Sequence, residues 1–300
     1  ITELMVQVLL IAQELGVLKL GTVSLDGSKV HADASKSKAV SYRRLLQIEH
    51  RLREEVAELL ALNEEGAGDG LPADLDIATE LEFRHERLSN LATAKVALEL
   101  RAEERYQAEK AEYEARLRER EEKAKRSGHK PRGPKPKPPE RGPRDKDQYN
   151  FTDPESRIMK NSNNSGFDQH YNAQVAVDQD SYLVVGHTVS NHPTDVQEAI
   201  PTLDAIPRAI GHPPAGALDA GYFSQTNIAE MEQRKIDPYI ATGRDSHHPS
   251  WRARFAEVPE PPAADATLKV KMAYKLRTEI GQAIYKLRKS TVEPVIGIIK

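Results

Sequence analysis

The amino-acid sequence predicts an α/β fold, in which a mixed β-sheet is flanked by helices, together with a long α-helical hairpin. From residue 148 onward, short apolar runs typical of strands alternate with segments that have the periodicity of helices. Two consecutive strand-like runs come first, which favours a mixed sheet over a purely parallel one. Between residues 41 and 126, apolar residues recur every three or four positions among many Glu and Arg residues, which indicates amphipathic helices.

The composition excludes several classes of protein. The 300 residues suffice for a sizeable core, but with 38% hydrophobic and 30% charged residues we expect part of the chain to be solvated helix or linker. The absence of cysteine excludes disulfides and Cys-ligated zinc or iron–sulfur sites. No apolar run reaches the roughly 18 residues of a membrane span, so we expect no membrane partner and a cytoplasmic location. The net charge of −3 argues only weakly against a nucleic-acid partner, because the position of the charges matters more than their sum.

Residues 1–40 predict one helix followed by short strands. The opening "MVQVLLIAQELGV" carries polar residues at helical spacing, which indicates an amphipathic helix and not a signal peptide. Val23 and Leu25, then Val30 and Ala32, show the alternation of strands. Because the chain does not start with methionine and a pattern is still running at its end, we expect a fragment truncated at both ends.

Residues 41–126 predict a coiled-coil-like helical hairpin. The sequence "GAGDG" at 66–70 separates two helices, and a glycine-rich break between long helices is typical of an antiparallel pair. Beyond Arg101 the second helix is almost wholly charged, so it either projects into solvent or meets a partner. The apolar positions that define the two helical faces are Leu45, Ile48, Leu52, Val56 and Leu59, then Leu81, Leu88, Leu91 and Leu98.

Residues 127–147 are a Pro-rich basic linker, "SGHKPRGPKPKPPERGPRDKD". Proline disfavours helix and strand, and the spaced cations keep such a segment extended. Two interpretations stay open, a disordered tether and an arm that contacts phosphates.

Residues 148–300 predict the larger part of the α/β domain. "YNAQVAVDQDSYLVVGHTVS" indicates two strands around a turn at 178–181, and the next helix has Thr194 or Asp195 as its expected N-cap. "AGALDAGY" and "IDPYIATG" indicate further strands, with a helix between them and a helical segment at the end. The histidines in "SHH" at 246–248 indicate a loop and not a metal site.

Three carboxylates are presented in a way that suits metal-ion chemistry. Asp26 and Asp219 each follow an apolar run, and Glu293 lies in "STVEPVIGIIK". Carboxylate oxygens suit Mg²⁺, and two ions about 3.5–4 Å apart can hold the attacking and leaving oxygens of a phosphodiester in line. Each residue also has a simpler explanation. Asp26 precedes glycine as in a hairpin turn, Asp219 suits a cap, and Glu293 suits an exposed helix end.

The three motifs together carry a family resemblance. "LGTVSLDGSKVHADASKSKAVSY", "LDAGYFS" and "YKLRKSTVEPVIGIIK" resemble DDE transposases of bacterial insertion sequences, an RNase H-like family. They are most similar to the branch with the motifs Asp-Gly-(Thr/Ser)-Lys, Asp-x-Gly-Tyr and Val-Glu-Pro-Val-Phe-Gly. The resemblance implies that 1–40 and 148–300 form the catalytic domain, with 41–126 inserted and 127–147 as linker. It implies Asp26 on the first strand, Asp219 on the fourth and Glu293 on a later helix.

The resemblance also implies residue roles. Asp26, Asp219 and Glu293 match the catalytic and metal-binding triad, which would hold two Mg²⁺ or Mn²⁺ ions. The residues that would contact DNA are Tyr285, Arg288, Lys289 and Lys300. Four residues separate Arg288 from Glu293 where the broader family has three, so Lys289 is an alternative to Arg288, and Ile296 stands where the branch has phenylalanine.

Basic residues are frequent between residues 268 and 300, and two interpretations of them stay open. They either hold phosphates beside the carboxylates or form a solvated basic helix. Tyr222 likewise either stacks on a base or sugar or belongs to the core.

The implied activity is metal-dependent DNA cleavage followed by strand transfer, with transposon ends and target DNA as partners. We expect a homodimer in a synaptic complex, with the 81–126 helix as a candidate contact, in the bacterial cytoplasm in association with the nucleoid. Two alternatives stay open. One is an inactive truncated fragment that acts as a DNA-binding or coiled-coil interaction protein. The other is a nuclease without strand transfer, since hydrolysis and transesterification use the same carboxylates.

Overall fold

The computed structural model describes residues 2–65, 75–129, 133–161, 166–243 and 260–300. The chain forms two compact units, one of residues 1–32 with 156–300 and one of residues 33–155. The predicted glycine break at 66–70 and the histidines at 246–248 lie outside the described residues.

Along the chain, the two long helices come after the second strand and before the third. The elements are α1 (Thr2–Glu14), β1 (Val23–His31), β2 (Ala39–Ser41), α2 (Tyr42–Glu65), α3 (Ile77–Ser127), β3 (Gln148–Asn150), β4 (Arg157–Lys160), β5 (Phe167–Asp178), β6 (Val184–Ser190), α4 (Ala199–Asp204), β7 (Ala215–Leu218), α5 (Gln225–Gln233), β8 (Asp237–Ile240), α6 (Leu268–Lys275) and α7 (Glu279–Ile299). Short 3₁₀ turns precede β2, α4, β7 and α5.

The larger unit contains a six-stranded mixed sheet, as the sequence predicts. Its order is β4-β5-β1-β7-β8, and β6 also pairs with β5. β1 runs antiparallel to β5, from Val23 opposite Asp178 to His31 opposite His170, and parallel to β7. β8 is parallel to β7. In chain order the strands of this sheet are β1, β4, β5, β6, β7 and β8. If the edge strand β4 is left out of the count, β7 is the fourth strand.

β1 is one continuous strand, so Asp26 lies on the first strand, and the hairpin turn that was the other interpretation of "LDGS" is wrong. Asp26 pairs with Val175 and Gly27 with Gln174 inside the ladder. Gly27 is required here because a Cβ atom at this position would collide with the side-chain amide of Gln174. The Asp-Gly pair therefore places a carboxylate in the middle of a strand.

Helices cover both faces of the sheet. On one face, α1, α4, α5 and α6 pack against a core that includes Leu25 and Leu218. On the other face, Val292 of α7 packs against Val175 and Val177 of β5. Since successive side chains of a strand point to opposite faces, Asp26 points to the α7 face.

The unit of residues 33–155 contains the antiparallel helical hairpin that the sequence predicts. Leu45 and Leu52 of α2 pack with Leu91 and Leu98 of α3. Glu49 pairs with Lys95 at 3.1 Å and Glu55 with Arg84 at 2.9 Å, so later residues of α2 meet earlier residues of α3. β2 and β3 form a two-stranded sheet that closes this core through Val40 and Tyr149.

The described part of the linker contacts α3, although a disordered tether is one of the two interpretations that its composition leaves open. Residues 133–147 follow α3, because arginines of one segment meet carboxylates and carbonyls of the other. Arg144 pairs with Glu109 at 2.8 Å and Arg141 with Glu103 at 3.0 Å. Arg120 of α3 donates to the carbonyl of Gly133 at 2.7 Å.

Candidate active site

Asp26, within β1, and Asp219, directly after the neighbouring strand β7, lie side by side in the sheet. Ser24 of β1 is level with Ala217 of β7 in the parallel ladder, and both aspartates follow two residues later. Paired positions of parallel strands share a face, so the two carboxylates start from matching positions on neighbouring strands. The charge of Asp219 is close enough to affect the pKa of Asp26.

Asp26 is a partly buried carboxylate with two partners. Its Oδ1 accepts the Gly27 N–H at 2.9 Å, and its Oδ2 accepts from Arg288 Nη1 at 3.1 Å. Burial raises the pKa of Asp26, Arg288 and the Gly27 N–H oppose that rise, and the nearby Asp219 adds to it. A charged Asp26 in this position is therefore held by a cation, and Arg288 is the cation that the chain supplies.

Asp219 ends β7 and caps the 3₁₀ turn that follows. Its Oδ1 accepts the Gly221 N–H at 2.7 Å, so the cap interpretation of this residue describes its contact correctly. The same hydrogen bond fixes the carboxylate at the strand end. A residue can therefore be a cap and still present an oxygen to a ligand.

Arg288 is buried beside Asp26, and this differs from the expected contact with DNA. Its side chain is only 6% exposed, and its Nε has no hydrogen-bond partner among the described residues. Burial lowers the pKa of the guanidinium, but Asp26, Tyr285 and Asp219 outweigh this and leave the Arg288 pKa raised. The Arg288 guanidinium also lies 5.9 Å from the centre of the Tyr285 ring.

Three contacts fix α7 over β1 and so position Arg288. Thr291 Oγ1 donates to Ser24 Oγ at 2.9 Å. Gln179 Nε2 bridges Ser24 Oγ at 3.0 Å and the Ile284 carbonyl at 3.1 Å. Because these groups are buried, the hydrogen bonds specify the register of the helix on the strand.

Glu293 is not brought to the two aspartates. It is exposed on α7, next to the buried Val292. At 3.6 residues per turn, Glu293 lies about 140° around the helix from Arg288. Across the described ranges, no three His, Asp or Glu side chains form a group that could hold a metal ion.

The other residues expected to contact DNA lie at the surface of α7 or beside it. Lys289 and Lys300 are exposed, and Tyr285 is half-buried. They are accessible, as a phosphate contact requires. Tyr222, in contrast, is fully buried in the core, so a stacking role for it is wrong.

A polar network that includes Asp195 supports the strand ends from the other face of the sheet. Asp195 Oδ1 accepts from Asn172 Nδ2 and Gln174 Nε2, each at 2.9 Å. The side-chain amide oxygen of Gln174, Oε1, accepts a hydrogen bond from the Tyr222 hydroxyl. Burial raises the pKa of Tyr222 well above its usual value, and the charges of Asp195, Asp26 and Asp219 raise it further, so the phenol remains a donor.

Asp195 limits the space beside two glycines near the site aspartates, Gly27 and Gly221. A Cβ atom on Gly27 would lie 2.9 Å from Asp195 Oδ1, and one on Gly221 would lie 3.5 Å from Asp195 Oδ2. The sequence suggested Thr194 or Asp195 only as a helix cap. Thr194 does occupy the cap position of the 3₁₀ turn, without a side-chain hydrogen bond. The proximity of Asp195 to Gly27 is not visible in the sequence, because 167 residues separate them along the chain.

The comparisons with known proteins identify the family. A family model described as "Transposase DDE domain" matches residues 133–300, more than half of the chain. The chain belongs to the DDE transposase family. Searches of curated proteins and of solved structures give no significant match.

For a DDE transposase, the mixed sheet flanked by helices is consistent with the RNase H-like fold that the motifs implied. The matched segment contains Asp219, Arg288 and Glu293 but not Asp26. The role of Asp26 therefore depends on the ladder that sets it beside Asp219. No helix in the described residues is long and apolar enough to cross a bilayer.

DDE transposases use divalent metal ions, and the side-chain oxygens of this site can be compared with the ligands that such an ion requires. Mg²⁺ is commonly held by one or two carboxylates and keeps several waters. Asp26 and Asp219 supply that minimum, one within β1 and the other directly after the end of β7. The contact of Arg288 with Asp26 Oδ2 shows that this oxygen already attracts a positive charge. The two aspartates therefore fit a divalent cation, whereas Glu293 in its present position adds nothing to the set.

Proposed function

We propose that this transposase cleaves DNA and transfers the cut strand of an insertion sequence at a site built on Asp26 and Asp219. The observation that supports the proposal is the matched position of the two aspartates on neighbouring parallel strands. A divalent cation bound there would activate water or a 3′-hydroxyl for attack on a phosphodiester. Mg²⁺ or Mn²⁺, with two ions as in the two-metal mechanism, is the chemistry that suits oxygen ligands.

Arg288 has a defined place in this proposal. Its guanidinium neutralises Asp26, and it would contact a phosphate only if DNA drew it away from that buried position. Lys289 and Lys300 are exposed cations that would hold flanking phosphates, and the half-buried Tyr285 supports the Arg288 guanidinium through its ring. Phosphate contacts of this kind fix the register of the DNA and carry no sequence information.

Asp195 is a positioning residue in the proposal. It holds the amides of Asn172 and Gln174 under Gly27, and it lies beside Gly221, whose N–H fixes Asp219. It acts through these groups and touches neither phosphate nor reacting oxygen. Its removal would shift both strand ends at once.

Glu293 is the proposed third ligand, and it requires a change in α7. The helix would have to turn by roughly a third of a turn to bring Glu293 to the aspartates. Such a turn would also break the Arg288–Asp26 and Thr291–Ser24 contacts. Because those contacts must break before Glu293 can reach the aspartates, the effect of removing Glu293 can be distinguished by experiment from the effect of removing either aspartate.

A calorimetric titration tests the site. Mg²⁺ or Mn²⁺ is titrated into the wild type, Asp26→Ala, Asp219→Ala and Glu293→Ala, and each variant is then assayed for nicking and strand transfer with labelled DNA ends. Abolished binding in both aspartate variants supports the site, and unchanged binding in both overturns it. If Glu293→Ala binds the cation normally but does not cleave, Glu293 joins the site only with DNA. Cleavage without joined products would reduce the proposal to a nuclease.

We also propose a homodimer in the DNA complex, with α3 as the contact. The end of α3 beyond Arg101 is mostly exposed and charged. Deletion of residues 72–126 should then lower the number of subunits, taken as the molar mass from light scattering divided by the sequence mass of each variant, and an unchanged number of subunits would remove this proposal.

A further inference from the structure

The unit of residues 33–155 contains a groove that the proposed catalytic site does not use. Its volume is about 700 Å³. The walls come from the start of α2, the early part of α3 and the β2–β3 pair, and the side chains that define its chemistry are Lys38, Arg44, Phe83, Arg87, Asn90 and Phe151. A groove of mixed cations and aromatic rings has the composition of a single-stranded nucleic-acid channel.

The cations of this groove are not compensated by carboxylates. Lys38, Arg44 and Arg87 take part in no ion pair within the described ranges of the chain. Arg53 and Lys95 of the same two helices, in contrast, are both paired with Glu49. Glu86 is the acidic residue among those lining the groove. With three cations and one carboxylate in its lining, the groove carries net positive charge.

Two aromatic rings are exposed in the same groove. Phe83 is 58% exposed and Phe151 is 38% exposed. Phe151 is held in place by its N–H, which donates to the Lys38 carbonyl at 3.1 Å, and by an edge contact with Tyr149 at 5.3 Å between ring centres. A fixed ring beside unpaired cations offers a base a stacking surface while phosphates meet the charges.

We propose that this groove binds a single-stranded segment of DNA, with phosphates on Lys38, Arg44 and Arg87 and bases against Phe83 and Phe151. DNA is the occupant that the charge of the groove complements, and it is the substrate of the family. Duplex DNA fits less well, because its bases are stacked on one another and cannot use exposed phenylalanine rings. The site would hold the strand exposed when a DNA end is opened.

The test is fluorescence anisotropy of the full 300-residue chain with a labelled single-stranded oligonucleotide of about 10 nucleotides, and with the matching duplex, in EDTA. The double variant Arg44→Glu/Arg87→Glu should bind the single strand at least tenfold more weakly. The slope of log affinity against log salt should fall by about 0.7 for each phosphate that the variant no longer binds. Phe83→Ala should weaken the single strand about fivefold or more and leave the duplex unchanged.

The matched control is Arg118→Glu/Arg126→Glu, which makes the same charge change at exposed positions of α3 outside the groove. This control should bind within twofold of the wild type. Equal weakening in both double variants would show a general charge effect and overturn the proposal. A Phe83→Ala variant that binds single strands normally would overturn it too. Because EDTA removes divalent cations, the binding measured here does not depend on the cation site proposed at Asp26 and Asp219, so either proposal can fail while the other stands.

Discussion

Replacement of Arg288 by methionine should destabilise the protein at neutral pH. The guanidinium lies 3.1 Å from Asp26 Oδ2, and the two side chains are 6% and 23% exposed. At an effective dielectric constant of about 20, a pair at this distance attracts by about 5 kcal/mol before desolvation is counted. Breaking a buried pair by removing one partner costs about 3–5 kcal/mol. Because Asp26 keeps some exposure, we expect the lower end of that range, about 3 kcal/mol.

The destabilisation should depend on pH, with a sign that follows from the Asp26 pKa. Burial raises the pKa of Asp26 in the folded state above its ordinary value of 3.8, and Arg288 opposes this rise. Without Arg288 the pKa rises further. A raised carboxyl pKa stabilises the fold below the ordinary value, and that contribution disappears as pH rises through the folded value. The destabilisation by Arg288→Met should therefore be largest at neutral pH and shrink on acidification.

Urea unfolding at several pH values measures both effects. Lys289→Met is the control, since it removes an adjacent exposed cation and should change stability by no more than about 0.5 kcal/mol. Arg288→Lys should retain part of the stability. The reasoning is refuted if Arg288→Met and Lys289→Met are equally stable at neutral pH, or if the destabilisation by Arg288→Met does not change with pH.

Three further predictions concern packing and support. Gly27→Ala should cost about 1–3 kcal/mol, because its Cβ meets the Gln174 amide, whereas Gly297→Ala, with open space on α7, should be neutral or stabilising by thermal unfolding. Asp195→Ala should cost about 1–3 kcal/mol in urea, because it removes the carboxylate oxygen that two buried amides share as an acceptor, and Asp195→Asn should restore both stability and cation binding in part; equal effects of the two variants would contradict a positioning role. Leu52→Ala should lower the free energy of unfolding of the helical unit by about 2–5 kcal/mol, so far-ultraviolet circular dichroism should be lost at a lower urea concentration than in the wild type. An unchanged unfolding midpoint would show that Leu52 does not belong to a packed α2–α3 core.

The local patterns of the sequence predict most elements, because periodicity depends only on neighbours along the chain. The α2–α3 hairpin, the β5–β6 turn and the strand that ends at Asp219 are confirmed. "LDGS" misled because Asp-Gly is a strong turn signal. In the structure β5 runs the full length of β1, and the ladder imposes strand geometry on the pair. Tertiary pairing therefore outweighed a local preference.

The parts of the site that could not be predicted are those made by contacts distant in sequence. Asp195 reaches Gly27 only because β5 and the turn before α4 meet at the strand ends. The burial of Arg288 depends on the choice of face that α7 presents to β1. The linker follows α3 through Arg141 and Arg144, whose partners lie more than 30 residues away. Composition describes such a segment correctly as extended and basic but does not specify what it pairs with.

The orientation of α7 connects the stability of the fold to the chemistry proposed for it. Val292 and Thr291 anchor the helix, and Arg288 takes the place beside Asp26 where a cation is needed. Glu293 lies on the same helix as Arg288, so it cannot approach Asp26 while the helix is intact and Arg288 keeps its position. A residue before proline is also disfavoured in the helical region, and Pro294 removes one backbone hydrogen bond just beyond Glu293. The segment that carries Glu293, the proposed third ligand, is thus the weakest stretch of the helix, and a local distortion there would cost less than a turn of the whole of α7.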